Sequence, residues 1–175
     1  MAEDYITPQV KALIGLKSEP VEACHPVEAS EVRRFHHAVM DPAWRYFDEA
    51  RASASRYRGT VAPPIFPILA FRRHPDGEDP LDRFDEDPEF DGLDRHLRDL
   101  PPVPVPLKRL LNGGYEYTFY RYANIGDRIF RQSRYVDIFQ KDGRSGTMVF
   151  VVIDDWYFLP AGQRLVEARN TLILR

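Results

Sequence analysis

From residue 114 to the C-terminus the chain carries four long strand-forming runs. They are "GYEYTFYRYA", "RIFRQSRYVDIFQ", "TMVFVVIDDWYF" and "RLVEARNTLILR". Three short glycine-bearing segments, "NIGD", "KDGRSG" and "LPAGQ", separate them. Links this short join antiparallel neighbours, because a parallel pair needs a crossover of a dozen or more residues. The C-terminal part is therefore an antiparallel meander. The sheet needs something apolar to cover it. The chain supplies "GTVAPPIFPILAFRR" (59–73), in which Ile65, Phe66, Ile68, Leu69, Ala70 and Phe71 leave no polar face. Pro63 and Pro64 suit the start of a helix, where a missing N–H is harmless. The expectation is an α+β domain whose sheet wraps a buried helix over Ile65–Arg73.

The chain ahead of that helix is simpler. Residues 1–18 form an arm with Val10, Leu13 and Ile14 at helical spacing, and "EPVEACHPVEAS" holds a short strand. Ser30 is a candidate N-cap with Glu31 in the first turn of the next helix. Val32, Phe35, His36 and Val39 fall on one face of it, and it should end near Asp41-Pro42, since a residue before proline avoids the helical region. Residues 19–175 are read as one domain. Residues 74–106 interrupt it as a surface insertion, with a short helix near 93–99 and an extended "PPVPVP".

Charge is concentrated rather than spread. Eleven acids and only three arginines occupy residues 76–99; without them the chain keeps 21 bases and 16 acids, net +5, against -3 for the whole. A mildly basic body suits an anionic small molecule, and nothing in the total implies nucleic acid or a membrane surface. The acidic run lacks the ligand order of a calcium loop, and no histidine pair has metal spacing, so no metal is assigned. His36 reads as a core or interface residue and His37 as a solvated one. Cys24 is the only cysteine. There is no nucleophile elbow and no phosphate-binding loop, and "NGG" reads as turn chemistry. The N-terminus has no signal-peptide pattern and no run is long enough to span a membrane, so a cytoplasmic protein is expected.

The remaining chemistry lies in "AVMDPAWRYFDEARA" (38–52) and "VAPP" (61–64). An acid after a first helix, then "VAPP" opening an apolar helix, then a meander, resembles the MaoC-like hydratases and dehydratases of the hotdog fold, and within them the N-terminal MaoC dehydratase type. The likeness runs from about Glu19 to Arg175, strongest in "GTVAPPIFP", "LNGGYEYTFYRYANIGDRI" and "KDGRSGTMVF". Catalytic members carry an Asp, a His five residues later, and a small residue six beyond that; the pair holds water for addition across an enoyl thioester. Asp41 matches the acid and Ala52 the small residue. Tyr46, however, stands in the histidine's place and Ala43 in that of an asparagine. A phenol with a pKa near ~10 is a poor general base at neutral pH. The family also has a glycine at the start of the central helix, whose N–H holds the thioester oxygen. Pro64 stands there and has no N–H.

The resemblance therefore implies no working catalytic residue here. Asp41 is vestigial, Tyr46 replaces the histidine, and Pro64 replaces the oxyanion glycine. The implied role is a non-catalytic, acyl-chain-holding subunit of a heteromeric (R)-specific enoyl-thioester hydratase or 3-hydroxyacyl-thioester dehydratase, similar to the acyl-holding subunits of the mycolic-acid dehydratases. The partner is a catalytic MaoC-like hotdog, the ligand an acyl-CoA or acyl-carrier-protein thioester, and no cofactor is implied. Trp44, Tyr46 and Phe66 are candidate lining residues. Two alternatives stand: a homodimeric enoyl-CoA hydratase in which Asp41 works with a histidine such as His36, and an acyl-CoA-binding hotdog without turnover.

Overall fold

The computed structural model describes residues 4–71, 80–89, 98–143 and 146–175. Its frame is one antiparallel sheet of five strands: β1 (Val21–Glu22), β2 (Leu110–Phe119), β3 (Phe130–Gly143), β4 (Gly146–Phe158) and β5 (Arg164–Leu174). Their spatial order is β1-β3-β4-β5-β2, every pair antiparallel. The α-helices are α1 (Pro8–Lys11), α2 (Ala29–Val39), α3 (Glu49–Ser53) and α4 (Phe66–Leu69). The four C-terminal runs are thus strands, but only β3, β4 and β5 form a meander: β2 pairs with β5 and not with β3, so the link 120–129 that carries "NIGD" does not join neighbours as expected. "NGG" does not turn the chain. Asn112–Gly114 form a bulge inside β2, where a Cβ on Gly113 would sit 2.9 Å from the Thr171 carbonyl oxygen.

Alternation gives the sheet two faces. The inner face carries rows such as Ser133–Asp155–Ala168–Tyr117 and Tyr135–Ile153–Asn170–Tyr115. The outer face carries Arg134–Asp154–Arg169–Glu116, charges alternating across four strands. Both Asp154 oxygens accept hydrogen bonds from Arg169 (2.7 and 3.0 Å), and Arg134 donates a third at 3.2 Å. Burial alone would raise the Asp154 pKa. The hydrogen bonds and charges of Arg169 and Arg134 outweigh it and hold the carboxyl below its ordinary range.

Two hydrophobic clusters cover the inner face from above. In one, Phe66 of α4 packs with Val27, Val32, Ala62, Ile129, Leu165 and Val166. In the other, Val10 of α1 and Leu100 pack on Tyr135, Ile138, Val149, Val151 and Ile153, with Val103, Val105 and Leu107 alongside. The hotdog layering of helix on sheet is present, with a shorter helix than expected. A helix over 65–73 was predicted; α4 is one turn, Phe66 and Pro67 are buried in it, and Ile68 and Leu69 are half-buried. Phe71 has left the helix to meet Tyr157 edge-on at 5.6 Å, beneath the Arg131 guanidinium. A strap from Arg98 to Leu107 covers the sheet where further turns would lie.

The strap stays largely at the surface but is tied to the sheet: Leu100 is buried, Arg98, Val103 and Val105 are half-buried, and Asp99 and the four prolines are exposed. The Tyr135 hydroxyl donates to the Pro101 carbonyl at 2.8 Å, and Arg98 reaches Asp155 at 2.8 Å and Asn170 at 3.0 Å. Asp82, Asp85, Glu86, Asp87 and Glu89 are exposed. Most of the helix expected near 93–99 lies outside the described residues, and Arg98 and Asp99 form a bend. The arm is also part of the sheet. Thr7 caps α1 through Val10 N–H, and residues 15–18 run along β3, with Gly15 and Ser18 donating to the Tyr135 and Ser133 carbonyls at 2.8 and 2.9 Å. α2 starts after Glu28, not at a Ser30 cap, and no side chain caps it.

Candidate functional site

Asp41 owes its position to the end of α2. Met40 takes a left-handed conformation (φ 55°), which stops the helix and turns the chain back. Asp41 N–H then donates to the His36 carbonyl at 3.1 Å, and its Oδ1 accepts from Ala43 N–H at 3.1 Å. Its Oδ2 lies 3.8 Å from His36 Nδ1, too far for a hydrogen bond. The carboxylate is 41 % exposed, whereas the His36 side chain is buried.

His36 is a core histidine without hydrogen bonds: neither ring nitrogen has a partner among the described residues. Its ring stacks on Tyr46 at 3.6 Å between centroids, with Phe35 and Phe47 edge-on. Burial pulls its pKa down against the pull of Asp41. His37 is exposed and stacks on Phe47.

Tyr46 closes the one-turn 3-10 helix Trp44–Tyr46. It is 6 % exposed, between His36 on one face and the Arg45 guanidinium 4.5 Å from its ring centre. Burial pushes the phenol's pKa up, further from any role as a base. Ala52, on α3, is fully buried, so that position leaves room for nothing larger. Trp44 is half-buried, with the Arg51 guanidinium 4.4 Å from its ring and Tyr57 tilted beside it.

The chain before α4 is pinned from both sides. Val61 N–H donates to Arg45 O, Ala62 N–H to Ala123 O, and Ile125 N–H to Thr60 O. The Asn124 amide holds the Tyr57 carbonyl at 3.0 Å. Pro64 therefore sits in a fixed frame and offers no donor. It lines a cleft of about 400 Å³ with Arg56, Tyr57, Phe119, Arg121 and Tyr122. Asp41 and His36 line a different groove, about 470 Å³, with His37, Met40, Pro42 and Phe47. The acid and the start of the helix, which catalysis in such a fold must bring to one thioester, open onto separate spaces.

A third space lies on the inner face, in the part of the sheet that α4 does not reach. Its volume is about 490 Å³. Ile68, Phe71, Leu100, Val151, Ile153 and Leu172 form its apolar walls, and Arg98, Asp155, Asn170 and Tyr157 a polar band. Trp44, Tyr46 and Phe66 do not line it: Phe66 is buried in the core and Tyr46 against His36. No sequence signal marks this cavity, since it depends on where α4 stops and the strap begins.

β2 is the other open feature. One side pairs with β5, and the other, at one edge of the sheet, pairs with no strand among the described residues. Tyr115, Tyr117 and Phe119 stack in a ladder on its inner face, 5.5 and 6.0 Å apart, each 40–49 % exposed. A free edge with an aromatic ladder is a surface prepared for another sheet or layer.

Comparison with known proteins agrees with this architecture. The chain is similar in structure to a chain of the ChsH1-ChsH2 complex from Mycobacterium tuberculosis (TM-score 0.70, 21 % identity, covering 95 % of this chain and 86 % of that one). It is similar to a chain of the HadBC (3R-hydroxyacyl-ACP dehydratase) complex from the same organism (TM-score 0.58, 20 % identity, 92 % and 96 %). It is also similar to the MaoC-like dehydratase from Rhodospirillum rubrum (TM-score 0.59, 15 % identity, 92 % and 91 %). At such identities these likenesses establish the fold alone, a hotdog. Residues 12–168 match the family described as "FAS1-like, dehydratase domain region", and the chain belongs to that family.

Proposed function

We propose that this chain is the non-catalytic, acyl-chain-holding subunit of a heteromeric (R)-specific enoyl-thioester hydratase or 3-hydroxyacyl-thioester dehydratase of lipid metabolism, working in the cytoplasm. The observation that carries the reading is the buried phenol in the catalytic histidine's place. Tyr46 is stacked on His36 and its pKa is raised, so no general base faces substrate there. Pro64 supports the reading independently, since losing an oxyanion donor costs ~10²–10³ in rate. Both deficits are met if a second MaoC-like hotdog brings an intact Asp-His pair and the donor. The β2 edge is the surface offered to that partner, and the inner-face cavity is the space offered to the acyl group. Two of the similar structures are themselves complexes of two named subunits. Among the described residues no helix is long and apolar enough to cross a membrane.

The test is co-expression with a MaoC-like hotdog protein that carries an intact Asp-His pair. A stable complex should form, and hydration of an enoyl-CoA or enoyl-carrier-protein should depend on the partner's histidine while tolerating Asp41→Asn here. Loss of turnover with Asp41→Asn would reject the assignment. One observation favours a second reading, a self-sufficient homodimeric hydratase: the 3.8 Å approach of His36 to Asp41. His36 is sealed under Tyr46, and the pair opens away from Pro64, which weighs against it.

A further inference from the structure

The outer face of the sheet carries two unlike rows of side chains. Its middle row, Arg134–Asp154–Arg169–Glu116, crosses from β3 to β2. Asp154 is buried and takes its hydrogen bonds from both arginines, and Glu116 at the β2 end is exposed. The row is neutral in sum but polar across the strands, positive at β3 and negative at β2. Four residues along β4, about 13 Å away, the same face carries Phe139–Phe150–Ile173–Leu111. Phe139 and Phe150 stack at 5.1 Å, with the Lys141 ammonium 5.3 Å from each ring centre. Ile173 is half-buried and Leu111 is 44 % exposed. None of these four belongs to either hydrophobic cluster of the interior. Between the two rows lies Asp137–Val152–Thr171–Gly114, with one charge.

Such a face complements a copy of itself. A two-fold axis parallel to the strands, between β4 and β5, lays β3 on β2 of the second copy and β4 on β5, and keeps each row on its own row. Arg134 then meets Glu116 and Asp154 meets Arg169, opposite charges at every place in the row. Phe139 meets Leu111, Phe150 meets Ile173, and Asp137 meets Gly114 rather than another acid. An axis across the strands through the same row would set Arg134 on Arg134, so the charges select one orientation. Twisted sheets stack face to face at about 30°, which this arrangement allows. Four strands at ~4.8 Å and ten residues at ~3.3 Å span roughly 19 by 33 Å, so the two copies bury on the order of 1,200 Å², enough for a specific dimer. We propose that the outer face is a docking surface for a second copy of this chain, back to back. The contact leaves the β2 edge and the inner face free. It goes beyond the proposed function and does not depend on it; with a partner hotdog on each β2 edge it gives a four-chain assembly centred on two copies of this chain.

Sedimentation velocity of the full chain, alone and at micromolar concentration, tests this. The unmodified chain should run as a dimer. Glu116→Arg sets an arginine against Arg134 of the second copy at two places in the dimer, and should weaken association by about tenfold or more. Glu116 is exposed, so this variant should keep its melting temperature while losing the dimer. Ile173→Lys, in the apolar row, should give a monomer. Tyr117→Glu, on the opposite face of the sheet, should leave the dimer intact. A monomeric unmodified chain would overturn the proposal, as would a dimer that survives both outer-face substitutions or one that Tyr117→Glu dissociates.

Discussion

A single left-handed residue, Met40, decides what Asp41 touches. By reversing the chain after α2 it brings the carboxylate back over His36, an approach that helical spacing cannot reveal because it depends on the φ of one residue. The Tyr46 and Pro64 replacements, in contrast, are read from the family's motif spacing in the sequence alone. Tyr46→His alone should leave the chain inactive. It restores a group worth ~10²–10⁴ in rate but not the oxyanion donor, and the acid and the helix start line separate grooves. A crotonyl-CoA hydration assay checks this. Two buried ionisable groups set the acid response. The folded-state pKa of His36 is lowered, so the unfolded chain takes the proton first and stability falls as pH drops below about 6.5. Melting curves from pH 7.5 to 5 should show this decline, and His36→Gln should flatten it. Asp154 acts in the same direction at lower pH: its depressed pKa stabilises the fold above about 4, and that contribution goes as the carboxyl protonates. Asp154→Ala strands Arg134 and Arg169 and should cost roughly 3 kcal/mol in urea unfolding.

At the scale of elements, the strands were readable because alternation and glycine-bearing turns are local signals, whereas the pairing of β2 with β5 in place of β3 is a non-local choice that such signals do not record. The length of α4 was not. An unbroken apolar run fits a long buried helix as well as one turn followed by a packed coil, and tertiary contacts decide between them. The strap was missed because its acidic neighbours disguise it: "PPVPVP" reads as extended, but what anchors the strap, Tyr135 on Pro101 and Asp155 on Arg98, comes from distant strands. Its role is measurable. Leu100→Ala should cost about 2–5 kcal/mol, as expected for a core leucine, whereas neutralising Asp85, Glu86 and Asp87 should change stability by under ~0.5 kcal/mol. For β2 the expectation is the reverse: Tyr117→Glu on its exposed face should barely move the melting temperature yet abolish the complex with the partner hotdog, seen by size-exclusion chromatography.

Seen whole, the molecule keeps the layers of its family and rearranges what lies between them. The acid end of α2, the start of α4 and the inner-face cavity are three separate spaces, each with part of what a thioester hydratase needs. That separation is what supports the proposed role of holding a substrate for another subunit's chemistry. The most direct test follows loss of enoyl absorbance when the purified, partner-free chain is mixed with crotonyl-CoA and with a longer enoyl-CoA. The account predicts no turnover above the uncatalysed rate. Substantial hydration that disappears in Asp41→Asn would contradict it and make Asp41 a working acid.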